Sequence, residues 1–137
     1  MDYGAFTLEY LLPLPPAQVW PYLTDPQLLE SWYWPASLEP VYEARAVPGG
    51  GFRFASEVAG IAVTGTYLEV DAPLRLLKSW RWEGGAQETR VLLTLAERAE
   101  GGTRLTLVHF GHEDETSLEN HKVGWTDCLD RLVAELG

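Results

Sequence analysis

The stretch SLENHKVGWTDCLDRLVAEL, residues 117–136, decides the fold. Its large apolar residues recur at steps of seven, four, three and four, which places them on one stripe of an α-helix. Ser117 and Asn120 indicate the start of this helix, and Gly137 follows its end. A helix with a single apolar stripe needs an apolar partner surface. The stripe consists of Leu118, Trp125, Leu129, Leu132 and Leu136.

The remainder of the chain alternates like β-strands and contains no second long helix. Two short helices follow the first strand, one at 17–23 and one with Asp25 as N-cap and Pro26 at its first position, running to about Trp32. Short turns between consecutive strands predict an antiparallel sheet, and helices confined to one side predict an α+β fold. The predicted strands are 5–12, 38–46, 52–58, 61–70, 74–82, 88–97 and 103–110.

One hairpin predicts which sheet face is the inner one. Ala59-Gly60 is interpreted as a two-residue turn. The resulting register points the ring side chains to one face, and Gly65 would leave room for the ring of Phe54. The predicted pairs are Val58 with Ile61, Ser56 with Val63, Phe54 with Gly65 and Phe52 with Tyr67.

Length and composition narrow the classes of protein. We expect one domain over residues 1–137, large enough to bury a core. The single cysteine, Cys128, permits no intramolecular disulfide and is interpreted as a small buried hydrophobe, which suits a reducing cytoplasm. No basic flank precedes a long apolar run and no window has the length of a membrane span, so we expect a cytoplasmic protein.

Charge and aromatic content favour an apolar small-molecule partner. The net charge of −10 disfavours nucleic acid and anionic lipid surfaces as partners. The 6 Trp, 6 Tyr and 4 Phe are consistent either with a well-filled core or with a cavity walled by rings. The Gly124-Trp125 pair shows the same ambiguity, because the glycine suits close approach of helix to sheet and the indole suits a cavity wall.

Motifs for metals and cofactors are lacking. The run 49–51 is a hairpin turn without the Lys-Ser or Lys-Thr of a phosphate-binding loop. His109, His112 and His121 lack the helical i, i+4 spacing of a zinc site, so we predict no metal and no cofactor. His109 is interpreted as an inward polar group of a pocket or a hydrogen-bonded core residue, and His121 as a partner of the adjacent acidic loop.

Catalytic candidates are few. Most charged residues within strands fall on the outer face, where cross-strand ion pairs are ordinary. A catalytic acid or base needs an inward, desolvated group. Strand parity offers only Glu69 and His109 for that role.

Three stretches resemble one known family. They are PAQVW with LTDP (16–20 and 23–26), GTYLEVDAP (65–73) followed by Leu76 and WRW (80–82), and H-x-x-G-W-x-x-x-L-x-x-L beginning at His121. Together they resemble the START and Bet-v-allergen superfamily, also called SRPBCC. Within it the closest likeness is to the branch named after the C-terminal domain of the activator of the chaperone Hsp-90.

This resemblance implies a helix-grip fold, in which a curved seven-stranded antiparallel sheet wraps a long C-terminal helix. It also implies a cavity between sheet and helix, and relatives hold apolar molecules such as lipids or polyketides there. The predicted ligand-binding wall consists of Trp32, Trp34, Phe52, Phe54, Tyr67, Trp80, His109 and Trp125, with Trp32 and Trp34 at the mouth.

Three functions remain open from the sequence. The first is binding of a small hydrophobic ligand without catalysis. The second is an enzyme of the cyclase, dehydratase or hydrolase kind that uses His109 as acid and base. The third is a chaperone-associated interaction module, for which a strongly acidic chain is a poor electrostatic match to an acidic chaperone. A homodimer through the sheet or the ring-rich loop is compatible with each.

Overall fold

The computed structural model describes residues 4–137. The chain forms one strand, two short helices, six further strands and one long helix, in the order predicted. The fold is α+β. The elements are β1 (Ala5–Leu12), α1 (Pro16–Thr24), α2 (Pro26–Leu29), β2 (Val41–Ala44), β3 (Gly51–Ser56), β4 (Ile61–Asp71), β5 (Arg75–Trp82), β6 (Thr89–Glu97), β7 (Thr103–Phe110) and α3 (Glu115–Leu136).

All seven strands join one antiparallel sheet. Their order is β1-β7-β6-β5-β4-β3-β2, so only the β1–β7 pairing joins strands that are not consecutive. The sheet curves around α3, which confirms the helix-grip architecture. Among the described residues, no helix has the length and apolar character needed to cross a membrane.

The core lies between the inner face of the sheet and one stripe of α3. Along β6 and β7 every second side chain is buried, as expected for strands with one covered face. From α3 the core takes Trp125, Cys128, Leu129 and Leu132. Leu118 and Leu136, at the ends of the predicted stripe, are only partly buried.

The β3–β4 hairpin has the predicted faces but a different register. Ser56 pairs with Ile61, and Phe52 pairs with Gly65, two residues away from the prediction. The turn is longer than Ala59-Gly60: the Gly60 N–H donates to the Glu57 carbonyl (3.2 Å), and the Ala59 N–H donates to the Ser56 hydroxyl (3.1 Å). A shift of two residues leaves every side chain on its predicted face, because strand side chains alternate with a period of two.

The same shift changes which ring uses the space over Gly65. A Cβ at Gly65 would clash with the ring of Phe52 and with the Ser79 carbonyl. The glycine therefore accommodates the ring of Phe52. The sequence-based prediction that it accommodates Phe54 was wrong.

Two element boundaries also differ from the prediction. The N-cap of α3 is Asp114, whose carboxylate accepts from the Ser117 N–H at 2.7 Å, so Ser117 lies inside the helix. Strand β2 begins at Val41, not at 38, because Glu39 has a left-handed φ of 47° and Pro40 follows it.

Glu69 is not an inward carboxylate. The β4–β5 pairing shifts between Tyr67 and Glu69, which marks a bulge that changes strand parity. Glu69 is exposed, and its carboxylate pairs with Arg75 at 3.1 Å. The sequence-based expectation of a buried acid here was wrong, since a bulge cannot be seen in an alternating pattern.

Candidate ligand-binding cavity

A cavity of about 410 Å³ lies between the sheet and the N-terminal half of α3. It reaches solvent beside Ile61 and Gly124, both of which are exposed. Its surface is largely apolar, and a volume of this order suits a small organic molecule. The lining residues are Tyr33, Trp34, Ile61, Trp80, Trp82, Asn120, His121, Gly124, Trp125 and Cys128.

Aromatic rings form most of the cavity wall. The rings of Trp34 and Trp82 are stacked, with centroids 6.3 Å apart and an interplanar angle of 10°. The rings of Trp80 and Trp125 are tilted by 45° to one another, with centroids 5.2 Å apart. Trp80 and Trp82 reach the same side because both have inward parity on β5. The wall thus combines one sheet strand, one helix and one loop.

The loop that contributes Tyr33 and Trp34 is held by side chains from elsewhere in the chain. Arg131 of α3 donates to the Trp32 carbonyl (3.1 Å) and to the Tyr33 carbonyl (2.7 Å). The backbone N–H of Trp34 donates to the hydroxyl of Tyr42 at 3.0 Å. These bonds fix the loop, so the stacked indole beside the cavity is positioned before any ligand arrives.

Gly124 leaves space beside the helix. A Cβ built on this glycine would meet no other atom within 4 Å. Close approach of α3 to the sheet therefore does not account for this residue, contrary to one interpretation of the sequence. Gly in a helix interior costs roughly 1 kcal/mol relative to Ala, and at Gly124 the residue keeps part of the cavity open.

Three histidine rings lie next to the cavity. Their ring centroids are separated by 4.4 Å (His109–His112), 4.8 Å (His109–His121) and 4.9 Å (His112–His121). Of the three, only His121 lines the cavity. His109 and His112 are buried and His121 is half-buried, so their hydrogen bonds decide what the group can do.

Hydrogen bonds fix the tautomer of His109 and of His121. Trp125 Nε1–H donates to His109 Nδ1 (3.0 Å), so His109 Nε2–H donates to the Thr89 hydroxyl (2.7 Å). Trp82 Nε1–H donates to His121 Nε2 (2.9 Å), so His121 Nδ1–H donates to the Ser117 carbonyl (2.7 Å). Both lone pairs are occupied by indole donors. The sequence analysis predicted that His121 pairs with the adjacent acidic loop. Its ring nitrogens instead bond to Trp82 and to the Ser117 carbonyl.

Two of the three histidines, His109 and His112, are kept neutral by their surroundings. Burial lowers the pKa of His109 to about 2, and the nearby His121, His112 and Lys78 lower it further. Burial also lowers the pKa of His112, and the proximity of His121 acts in the same direction. His112 Nε2 has no hydrogen-bond partner among residues 4–137. Of the two interpretations of His109, the hydrogen-bonded core residue is the one that the geometry supports.

The cluster does not have the geometry of a metal centre. The lone pairs of His109 and His121 point at separate indole N–H groups instead of converging on one point. No group of three or more ligating side chains with metal-binding geometry occurs within residues 4–137.

The predicted wall residues divide into two sets. Trp34, Trp80 and Trp125 line the cavity. The other five lie in the core behind it or elsewhere: Trp32 is buried and donates to the Tyr22 carbonyl at 2.9 Å, and Phe52, Phe54, Tyr67 and His109 are buried outside the lining. Trp32 therefore does not sit at the mouth.

Other lining residues were missed, although some left a signal in the sequence. Trp82 shares the strand parity of Trp80, and Cys128 lies on the stripe side of α3. His121 and Asn120 sit one helical turn before Trp125 and Gly124, on the same side of the helix. Tyr33 left no such signal, because a loop has no period from which orientation can be predicted.

Lys78 is a further residue that the sequence analysis overlooked. It lies on the inner face of β5 between Leu76 and Trp80, and only 2% of it is exposed. Its Nζ lies 4.5 Å from the ring centroid of Phe52 and 5.5 Å from that of Trp80. Burial lowers the pKa of Lys78 to about 7. Its parity with Trp80 was a usable signal.

Fold and cavity together define a helix-grip domain with an open space under its last helix. Residues 13–137 match the family model described as Activator of Hsp90 ATPase homolog 1-like protein. The chain therefore belongs to this family, which is part of the superfamily that the sequence resembled.

Solved structures share the fold. A protein from Chromobacterium violaceum is 28% identical, with a TM-score of 0.81 and 97% of each chain covered. CalU16 from Micromonospora echinospora is 31% identical, with a TM-score of 0.76, 97% of this chain and 76% of that chain covered. An HSP90 activator from Plasmodium falciparum is 20% identical, with a TM-score of 0.76 and coverage of 93% and 91%, and shares the fold. No curated protein matches the chain significantly.

Proposed function

We propose that this protein binds a small, largely flat apolar molecule in the cavity between β5 and α3. The observation that carries the proposal is an unfilled space of about 410 Å³ between aromatic rings. It lies next to Gly124 of α3, where an added Cβ would meet no other atom. Protein interiors are otherwise packed as densely as organic crystals, so a space of this size with pre-positioned walls favours an occupant.

The wall supports a flat ligand in particular. Stacked Trp34 and Trp82 offer indole faces, and the pair Trp80 and Trp125 lies deeper, so aromatic surface is available from several directions. Aromatic rings prefer offset stacks and edge-to-face contacts, which a planar polycycle can make with such walls. Asn120 and His121 add polar groups on one side.

Catalysis by His109 has no support in the geometry. His109 lies outside the lining, is fully buried and has both ring nitrogens in hydrogen bonds. Among the described lining residues, burial raises the pKa of Cys128 to about 11 and that of Tyr33 well above its usual range. A general acid or base works best with a pKa near the operating pH, so these groups favour binding over acid–base chemistry.

A neutral fluorescent probe tests the proposal. N-phenyl-1-naphthylamine should bind the wild-type protein, and Gly124→Leu should weaken binding by about tenfold or more, because the new side chain occupies cavity space. The matched control is Val123→Leu, since Val123 is exposed on the same turn and is not part of the lining. Equal affinities for wild type and Gly124→Leu would contradict the proposal.

Native mass spectrometry of freshly purified protein provides an independent test. A bound molecule released on collisional activation should disappear in Gly124→Leu and persist in Val123→Leu. Its mass would identify the chemical class of the ligand directly.

A chaperone partner is the second candidate, favoured by the family match and by the likeness to an HSP90 activator. If this function operates, the purified chain should raise the ATPase rate of an Hsp90 added to it. Net charge argues for a weak, salt-sensitive contact, because the chain carries −10. An unchanged ATPase rate at saturating protein would exclude this function.

A further inference from the structure

Three hydrogen-bond donors are buried together behind the cavity wall. Tyr67 on β4 and Lys78 on β5 are direct cross-strand partners. The ring of Phe52 joins them to Trp80: Lys78 Nζ lies 4.5 Å from its centroid, and the rings of Tyr67 and Trp80 lie 5.6 and 6.1 Å from it. The exposed fractions of Tyr67, Lys78 and Trp80 are 0%, 2% and 4%.

Two of the three donors have no hydrogen-bond partner, and the third has no carboxylate partner among the described residues. The Tyr67 hydroxyl and Trp80 Nε1 have no hydrogen-bond partner among residues 4–137. Within the same range no carboxylate forms an ion pair with Lys78, whose amine faces the rings of Phe52, Phe54 and Trp80. Buried donors are almost always paired, and a buried ammonium without a counter-ion is rarer still. Two unpaired donors beside an amine without a counter-ion indicate a missing acceptor.

The cluster adjoins the cavity at one point. Trp80 lines the cavity and belongs to the cluster. Cys128 also lines the cavity, and its thiol is near enough to Lys78 for each to affect the other's pKa. The donor cluster therefore meets the cavity wall at Trp80.

We propose that the ligand is an apolar carboxylic acid, whose carboxylate accepts hydrogen bonds from Lys78 Nζ, the Tyr67 hydroxyl and Trp80 Nε1. This inference rests on the proposed function and names the ligand class for the same cavity. A carboxylate is an acceptor-only group with room for several donors and supplies the charge that Lys78 lacks. The rings of the wall hold the apolar body of the same molecule.

Binding of such a ligand is linked to one proton. Burial lowers the pKa of Lys78 to about 7, and a neighbouring carboxylate raises it again. The other titratable groups that face Lys78 are Tyr67 on β4, Cys128 on α3 and His109 on β7. Burial raises the pKa of Tyr67 far above its usual range and that of Cys128 to about 11, and it lowers that of His109 to about 2. Between pH 7 and 9 the proton taken up on binding therefore belongs to Lys78.

Calorimetry with two isosteric compounds tests the proposal. Anthracene-2-carboxylate and anthracene-2-carboxamide are titrated into wild type from pH 6 to pH 9, in phosphate and in Tris, to count the protons taken up. The carboxylate should bind about tenfold tighter than the amide at pH 6 to 7, because its charge is paired in a desolvated site. Above pH 7 its affinity should fall about tenfold per pH unit, with uptake approaching one proton.

Two variants assign the effect to the donors. Lys78→Met removes the amine with little change of volume and should abolish both the preference for the carboxylate and its pH dependence. Tyr67→Phe removes one donor and keeps the charge, so it should lower the preference several-fold and leave the pH dependence unchanged. If Lys78→Met does not fold, the wild-type comparison of the two compounds across pH still decides the question.

The outcomes separate this inference from the proposed function. If wild type binds the carboxylate and the amide equally, or binds only N-phenyl-1-naphthylamine, the cavity is a binding site and the carboxylate inference is wrong. If wild type binds none of the three compounds, both proposals are wrong.

Discussion

The two halves of α3 meet the sheet in different ways. The C-terminal half buries Cys128, Leu129 and Leu132 in the core, whereas the N-terminal half buries only Trp125 and leaves Gly124 exposed beside the cavity. One helix therefore anchors the fold at one end and borders an open space at the other. We call the C-terminal half the closed half and the N-terminal half the open half. Because most of the buried residues of α3 lie in the closed half, the open half can border a ligand-sized volume.

The largest expected effect lies in the closed half. Leu132 is fully buried, so Leu132→Ala should lower the free energy of unfolding by about 2–5 kcal/mol, through lost apolar burial and the resulting cavity. Leu118→Ala, a partly buried leucine of the open half, should cost only about 1 kcal/mol. Urea denaturation measures both, and equal losses would contradict the difference between the halves.

Acid should lower the free energy of unfolding through His109, which accepts a hydrogen bond from Trp125 near the middle of α3. His109 stays neutral in the folded state with a pKa lowered to about 2, whereas the unfolded chain protonates it near pH 6.5. The unfolded state thus binds more protons below pH 6.5, and stability that is fully present above that pH is lost as the pH falls, by about 1.4 kcal/mol per pH unit for one histidine. Between pH 7 and pH 5 the loss is roughly 2 kcal/mol.

The comparison for this titration is His109→Gln, which lacks the titrating ring. Its free energy of unfolding should fall less steeply between pH 6.5 and pH 5 than that of wild type. Parallel curves for the two proteins would show that His109 does not carry the effect.

Substitution of Trp125 tests the hydrogen bond between its indole N–H and His109. Trp125→Phe removes the indole N–H and leaves His109 Nδ1 buried without a donor, so it should destabilise the protein by about 1–3 kcal/mol. Trp82→Phe removes the matching bond to His121, but both of those side chains are only half-buried and water can replace the donor. Trp125→Phe should have a clearly lower melting temperature than Trp82→Phe. The reverse order would contradict the conclusion that the bond to His109 is the more buried of the two.

The smallest effect is expected at Gly124 and has the opposite sign. Gly124→Ala should raise stability by about 0.5–1 kcal/mol, because alanine favours the helix and its Cβ meets no neighbour. Gly65→Ala should destabilise, since its Cβ would meet the Phe52 ring. A destabilised Gly124→Ala, measured by denaturation, would indicate close packing at this point of the open half.

The fold was largely predictable, because the spacing of apolar residues determines which segments form strands or helices and which faces they bury. Strand β7 and the stripe of α3 repeat over enough residues to specify both elements and faces. The hairpin register was missed by two residues, because side-chain parity is identical for both registers and only the hydrogen bonds of Ser56 and Gly60 distinguish them. The bulge that turns Glu69 outward is likewise a backbone event without a sequence pattern.

The site was less predictable than the fold. Sequence parity could select inward rings such as Trp80, but it could not separate rings that border space from rings that fill it, as Phe54 does. That distinction depends on how far α3 stands from the sheet, which is a property of three dimensions. The buried Lys78 could have been found by parity alone, since a charge among inward apolar residues is unusual in any strand.

The empty space beside Gly124 also has an evolutionary consequence. A single nucleotide change converts every glycine codon to an alanine or a valine codon, and each of these residues adds a side chain of different volume. At this position the added Cβ meets no atom of the fold, so the first atom of a new side chain narrows the cavity without a cost in core packing. Ligand size can therefore drift by single mutations while the closed half of the helix preserves the architecture.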